Sequence, residues 1–278
     1  MKSILFKVSL LCFLLLLSVT PNVQDFQGKA YYMSKSRMDL GSWGSKMTEA
    51  QKKDMFLRLR NRLEKTYILS FNKQESLFDE EEKLDAISGA TDSWGKIFAP
   101  GRQYKNIKEN LLVQSQEFYG KQFLVKDELL PIEWIMGTES KQIGQYMCFK
   151  ATASIPTAYL TWYSFSWSEL ENNTTDNKVE SGADTSQKPI QITEVEAWYT
   201  LQIPVSHGPA EYWGLPGLIL EVSAGNTTIL CSKIVLNTKE KIQIEAPNKG
   251  KEITKNEYKQ TITKKMQEMR DNRGRRRY

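Results

Sequence analysis

An apolar run interrupted by two glycines and a proline constrains the fold of this chain more than any other feature. The run covers residues 213–220 and reads Trp-Gly-Leu-Pro-Gly-Leu-Ile-Leu. Glycine costs backbone entropy in a strand and proline removes a donor from the ladder, so a regular core strand does not fit the whole run. The run predicts a tight, buried change of chain direction that leads into a core strand.

Short segments rich in β-branched and aromatic residues recur along most of the chain, and residues 26–33 alternate large apolar with small or polar residues, as in a strand with one buried face. The clearest segments are 26–33, 67–71, 76–78, 111–118, 123–125, 146–153, 218–223 and 229–236. Hairpin turns are predicted at Tyr119-Gly120-Lys121 and Ala224-Gly225-Asn226. We therefore predict a mainly β fold, with a large curved antiparallel sheet or half-barrel that is covered on both faces or curved around a cavity.

Two helices are predicted in addition to the strands, one in the N-terminal half and one at the C-terminus. Thr48-Glu49-Ala50-Gln51 is a capping-box sequence, and apolar residues recur at helical spacing as far as Leu63. A second capping box at residues 254–257 begins an amphipathic pattern, so we assign the C-terminal helix to residues 251–271. The arginine-rich residues 272–278 are predicted to form a disordered basic tail.

The N-terminus has the pattern of a signal peptide, which we assign to residues 1–23. Lys2 and Lys7 precede a short apolar stretch that is followed by small and polar residues. Large residues precede Cys12, which argues against a lipid anchor. Once the leader is removed we expect no transmembrane segment, and a periplasmic or secreted location. Residues 24–250 are predicted to form a single β-rich domain with a polar surface loop at about 168–187.

Charge and cysteine content narrow the possible partners and the redox state. Residues 249–278 hold eleven Lys or Arg and four Asp or Glu, so the positive net charge of +5 resides at the chain ends and the body is mildly acidic. Nucleic acid is therefore not an expected partner. In an exported protein Cys148 and Cys231 are predicted to form a disulfide, and two buried free thiols are the alternative.

Several ordered segments carry a resemblance to a known family. They are Gly28-Lys29-Ala30-Tyr31-Tyr32, Tyr67 to Asn72, Glu80 to Leu84, Cys148 to Thr152, Ala197 to Thr200, Ile203 to Pro209, and Gly214 to Ile219. In these segments the chain resembles the GLPGLI family of Bacteroidetes. That resemblance implies a β-rich secreted or cell-envelope protein, and it transfers no catalytic residues.

Sequence patterns for catalysis are sparse. His207 is the only histidine, so it is the one candidate base for a hydrolase that needs histidine. The chain has no nucleophile elbow, HExxH motif or phosphate-binding glycine loop. Two cysteines and one histidine lack the spacing of zinc ligands. We therefore expect no metal and no cofactor, and an enzymatic role is an alternative rather than the leading hypothesis.

Two functions remain after these exclusions. The first is a non-enzymatic envelope binding or accessory protein for a hydrophobic ligand, a lipid or an outer-membrane protein. Its ligand or partner surface is assigned to Trp198, Tyr199, His207, Tyr212 and Trp213. The second is an envelope hydrolase that uses His207. The residues Gly214, Leu215, Pro216, Gly217, Leu218 and Ile219 are assigned a structural role, and the oligomeric state stays open.

Overall fold

The computed structural model describes residues 26–38, 46–81, 100–167, 190–238 and 240–275. Within them it has twelve strands and three helices. The strands are β1 (Gln27–Ser36), β2 (Glu64–Asn72), β3 (Glu75–Glu80), β4 (Gln103–Asn106), β5 (Leu111–Phe118), β6 (Lys121–Glu128), β7 (Ile135–Ile143), β8 (Tyr146–Pro156), β9 (Ile192–Thr200), β10 (Leu218–Ala224), β11 (Thr227–Leu236) and β12 (Lys251–Ile253). The helices are α1 (Glu49–Leu63), α2 (Thr157–Leu160) and α3 (Lys255–Arg275). The predicted leader, Cys12 and the predicted polar loop lie outside the described residues.

All twelve strands belong to one open, curved sheet, which confirms the predicted mainly β fold. The strand order is β12-β6-β5-β4-β3-β2-β1-β11-β10-β9-β8-β7. Neighbouring strands are antiparallel except for β12, which pairs with β6 in the parallel sense. Both predicted hairpin turns are present, and Tyr119, Gly120 and Gly225 have the positive φ angles that such tight turns require.

Helix α1 begins and ends as its sequence predicts. The Thr48 side chain accepts a hydrogen bond from the Gln51 backbone N–H, and the Gln51 side chain accepts one from the Thr48 backbone N–H. This reciprocal pair is a complete capping box, so two of the unpaired donors at the helix start are satisfied locally.

The C-terminal helix differs from its predicted limits at both ends. Residues 251–253, assigned to the helix, instead form β12, and α3 begins at Lys255 behind the Thr254 cap. The helix continues to Arg275, past the predicted helix end at residue 271. Residues 276–278 lie outside the described part of the chain.

The connection between β9 and β10, which we call the crossing segment (residues 201–217), lies over the buried face of distant strands. It contacts β2 through His207 and Asn72, and β4 through Gly208 and Lys105. Along the chain these contacts join residues more than 100 positions apart. The crossing segment therefore packs inside the curve of the sheet, and helix α3 packs at one end through a core cluster with β5 and β6.

Candidate functional site

The glycine motif holds the crossing segment against the sheet. A Cβ atom on Gly217 would lie 2.0 Å from the carbonyl oxygen of Thr200, and Gly214 has a φ of 92°. The backbone N–H groups of Gly214 and Leu218 donate to the carbonyl groups of Ser206 and Ile203. Gly217 thus permits close approach of the chain to the Thr200 backbone, Gly214 permits a left-handed turn, and strand β10 begins directly after Gly217.

A buried lysine lies beneath the crossing segment. Lys105, on β4, is 1% exposed, and its Nζ donates to the carbonyl oxygens of Gly208 (2.8 Å), Ala210 (2.6 Å) and Tyr212 (3.1 Å). Burial lowers the pKa of Lys105 to about 7, and the nearby Glu211 carboxylate opposes that shift. Three carbonyl partners match the three N–H donors of an ammonium group, so this lysine fixes the crossing segment to β4.

Glu211 forms the centre of a second buried polar group. Its Oε1 accepts from Trp162 Nε1 at 3.0 Å and from Gln103 Nε2 at 3.2 Å. Its Oε2 accepts a hydrogen bond at 3.2 Å from the Nζ atom of Lys255, which is the first residue of α3. The carboxylate therefore joins the crossing segment, the sheet, helix α3 and the stretch after α2. Neither Lys105 nor Glu211 was predicted as a site residue from the sequence. No local sequence pattern indicates that a charged side chain will be buried against partners over 40 positions away.

A cavity of about 330 Å³ lies between the crossing segment, α2 and the buried face of the sheet. Strands from both halves of the sheet line it. Its apolar wall includes Phe78, Leu160, Ala210, Val222, Ala224 and Ile229. Its polar lining includes Gln103, Gln114, Glu211 and the tyrosines Tyr67, Tyr163 and Tyr212. A volume of this size falls within the range of small-molecule sites, which combine apolar walls with a few polar groups.

The tyrosine hydroxyl groups beside the cavity are neutral at physiological pH. Burial raises the pKa of Tyr163 to about 12, and Glu211 adds to that shift. Burial likewise raises the pKa of Tyr67 and Tyr212 well above the ordinary phenol value, and Tyr163 and a carboxylate contribute at each. The polar lining therefore offers neutral donors and acceptors together with the two carboxylates of Glu80 and Glu211.

The five residues assigned to a ligand surface do not all lie at one place. Tyr212 lines the cavity. Tyr199 packs in the same core cluster as Tyr212, and Trp213 Nε1 donates at 2.7 Å to the carbonyl of Leu130, another member of that cluster. Trp198 belongs to a different core cluster with Cys148, its Nε1 donates to Glu196, and Lys141 lies over its ring. These rings contribute to packing, and Tyr212 alone of the five faces the cavity.

His207 is fully buried and does not have the surroundings of a catalytic base. Its Nε2 lies 3.0 Å from the Asn72 carbonyl oxygen, and its Nδ1 has no partner among the described residues. Burial lowers the pKa of His207 to about 3, and the nearby Lys105 adds to the shift. Since no hydroxyl, thiol or carboxyl group of the described chain forms a hydrogen bond with it, the structure gives no support to the hydrolase alternative.

The two cysteines are free thiols, so the structure has the buried-thiol alternative and not the predicted disulfide. Cys148 Sγ donates to the Tyr146 carbonyl and Cys231 Sγ to the Lys233 carbonyl. Burial raises the pKa of Cys148 to about 11 and that of Cys231 to about 12. Both therefore pack as small apolar residues in one core cluster.

No group of three or more His, Cys, Asp or Glu side chains in the described part of the chain is placed to hold a metal ion. None of its helices is long and apolar enough to cross a membrane.

Part of the chain matches the model of a family of unknown function. Residues 134–221, which include the glycine motif, match a family model described as "Protein of unknown function (Porph_ging)". No curated protein matches the chain. The match covers about a third of the 278 residues, and it is compatible with the resemblance found in the sequence.

Two solved structures of PNGF-II, in space groups C2 and P21, are similar to this chain. Their sequence identity is 14%, and their TM-scores are 0.49 and 0.45. The matches cover 86% and 83% of this chain but 33% and 31% of those structures. This chain thus spans about a third of the length of the structures that it matches.

Proposed function

We propose that this protein is an exported, non-enzymatic binding or accessory protein that holds the apolar part of a small ligand in the cavity described above. A lipid or another envelope amphiphile is the ligand class that this proposal favours. The cavity is the single observation that carries it, because aliphatic and aromatic side chains from both halves of the sheet meet there around about 330 Å³.

Two features of the chain support this proposal over a packed scaffold. The cavity is lined by Ala224 and Gly225 at the β10–β11 turn, where small residues leave room. Ala210 and Tyr212 of the crossing segment also line it, and Lys105 holds their carbonyl groups in place. A site lined by fixed elements needs little reorganisation when a ligand binds.

Binding of a neutral fluorescent probe, N-phenylnaphthylamine, tests the proposal with a matched pair of variants. Thr227 and Thr228 are neighbours on β11, and each hydroxyl forms one hydrogen bond to a serine across the strand pair. Thr227 lines the cavity, whereas Thr228 is not part of its lining. Thr227→Leu should weaken probe binding about tenfold or more, and Thr228→Leu should leave it unchanged.

Lipid extraction of the natively purified protein followed by mass spectrometry provides a second test. A bound amphiphile at close to one molecule per chain supports the proposal. A wild-type protein that binds no apolar probe and yields no extracted ligand overturns it.

The exported location is part of the proposal and has a test of its own. The leader at residues 1–23 supports it. N-terminal sequencing of the mature protein from the periplasm or medium should begin near Gln24. An uncleaved protein retained in the cytoplasm is the contrary result.

A further inference from the structure

Three tyrosine hydroxyl groups lie at the cavity without partners in the described part of the chain. Tyr67 on β2, Tyr163 after α2 and Tyr212 in the crossing segment all line it. The hydroxyl of Tyr32, on the neighbouring strand β1, donates to the Ile219 carbonyl oxygen at 2.6 Å. The hydroxyls of the three cavity tyrosines form no such bond with any described residue. Their capacity to donate and accept hydrogen bonds is therefore available to a ligand.

Accessibility distinguishes these three hydroxyls from polar groups that are enclosed in the core. Tyr258 also has an unpaired hydroxyl among the described residues, but its oxygen is wholly buried and Tyr258 does not line the cavity. No cavity tyrosine has its hydroxyl enclosed in this way. Tyr163 contributes to the raised pKa of both Tyr67 and Tyr212, so the three hydroxyls lie near one another. The polar group of one ligand can therefore contact them together.

The charges beside the three hydroxyls restrict the ligand further. None of the described residues that line the cavity is Lys, Arg or His. The carboxylates of Glu80 and Glu211 oppose ionisation of all three tyrosines, and the same negative potential opposes an anionic polar group. Each carboxylate is already paired with a lysine from outside the lining, so a cationic group would gain no free counter-ion.

We infer that the cavity selects an uncharged amphiphile whose polar group carries hydroxyl groups, as the glycerol group of a monoacylglycerol does. The tyrosine hydroxyls donate to its oxygen atoms, while its alkyl part lies against the apolar wall. A glycerol group both donates and accepts hydrogen bonds through several atoms, so it matches three neighbouring phenols that do the same. The inference rests on the proposed function and adds the chemical class of the ligand to it.

Displacement of N-phenylnaphthylamine by compounds of one chain length tests the inference. The compounds are 1-octanoylglycerol, octanoic acid and octylamine, all at pH 7, where the acid is an anion and the amine a cation. We expect 1-octanoylglycerol to bind the wild-type protein at least about tenfold tighter than either charged compound, because each of these must bury a charge that gains no counter-ion.

Two matched variants assign the preference to the cavity hydroxyls. Tyr163→Phe removes one hydroxyl and keeps the ring, so it should weaken binding of 1-octanoylglycerol about fivefold and change that of N-phenylnaphthylamine by less than about twofold. Tyr258→Phe is the control, because it also removes an unpaired hydroxyl but one that lies away from the cavity. It should leave both affinities unchanged.

The possible outcomes separate the two proposals. If the wild-type protein binds all three compounds equally, or a charged one most tightly, the inference is overturned and the apolar-ligand function stays intact. The same holds if Tyr163→Phe and Tyr258→Phe have equal effects on 1-octanoylglycerol. A failure of N-phenylnaphthylamine and all three compounds to bind, with no ligand in the lipid extract, overturns both proposals. Should Tyr163→Phe fail to fold, the comparison of the three compounds still decides, because it uses the wild-type protein.

Discussion

Gly217 packs directly against the carbonyl group of Thr200. A Cβ atom at residue 217 would lie 2.0 Å from the Thr200 oxygen and 2.6 Å from its carbonyl carbon. Both atoms belong to the backbone, so no side-chain rotation relieves the overlap. The approach brings the end of the crossing segment next to the last residue of β9, and β10 begins one residue later.

Gly217→Ala is therefore expected to destabilise the fold by about 3 kcal/mol, because the backbone of β9 or β10 must move. Urea unfolding followed by circular dichroism measures this change. Gly225→Ala is the control: unlike Gly217, Gly225 has a positive φ, of 55°, but a Cβ there meets no atom within 4 Å. It should cost only about 1 kcal/mol. Equal losses for the two variants would show that close packing at Gly217 is unimportant.

Lys105→Met is expected to reduce stability by about 3 kcal/mol or more, because three carbonyl groups of the crossing segment lose their buried donor. Lys126→Met, which breaks the exposed ion pair with Glu252, should change stability by less than about 1 kcal/mol. The free energy of unfolding at pH 7 is measured for the wild-type protein and for both variants. A loss at Lys105 as small as that at Lys126 would contradict the role assigned to it.

His207 is expected to remain neutral in the folded protein to well below pH 5. Its pKa is about 3 in the folded chain against 6.5 as the ordinary value. As the only histidine, it gives a single imidazole signal in a proton NMR titration. A titration midpoint near 6.5 in the folded state would show that the ring is accessible to solvent.

The lowered pKa of His207 also makes the free energy of unfolding depend on pH, and the direction of that dependence follows from it. Between pH 3 and 6.5 the unfolded chain binds a proton at this histidine and the folded chain does not, so stability falls as the pH falls. From pH 7 to 5 the loss from this group is about 2 kcal/mol. His207→Gln keeps a side-chain N–H and removes the titration, so its stability should fall by about 2 kcal/mol less over that interval.

Cys148 and Cys231 are expected to resist thiol reagents in the folded protein. Burial and the raised pKa of both groups disfavour the reactive thiolate. At pH 8 a thiol reagent should modify no site in native protein and both sites after denaturation without reductant. Absence of modification after denaturation would restore the disulfide hypothesis.

Local patterns in the sequence were sufficient for much of the architecture. The capping box at Thr48, the strand at Leu111–Phe118 and the turn at Gly225 are present in the structure as the sequence predicts. Each depends on residues within a few positions of one another. The C-terminal helix was placed less well, because residues 251–253 form a strand only through pairing with the distant β6.

Most residues of the candidate site could not be predicted from the sequence. Aromatic content favoured Trp198 and Trp213, whose indole N–H groups instead donate to nearby acceptors in the packed structure. The residues that line the cavity include Gln103 and Gln114, which look like ordinary polar residues of strands β4 and β5. No signal within β4 or β5 indicates that a segment about a hundred residues further along covers them.

The sequence by itself determined the mainly β class, the hairpin turns, the capped helices and the special backbone of the glycine motif, because these follow from interactions between near neighbours. The tertiary structure alone decided that the crossing segment lies inside the sheet, that Lys105 and Glu211 hold it there, and that a cavity lies between this segment and the buried face of the sheet. Burial, the factor that lowers the pKa of both His207 and Lys105, depends on how distant segments pack.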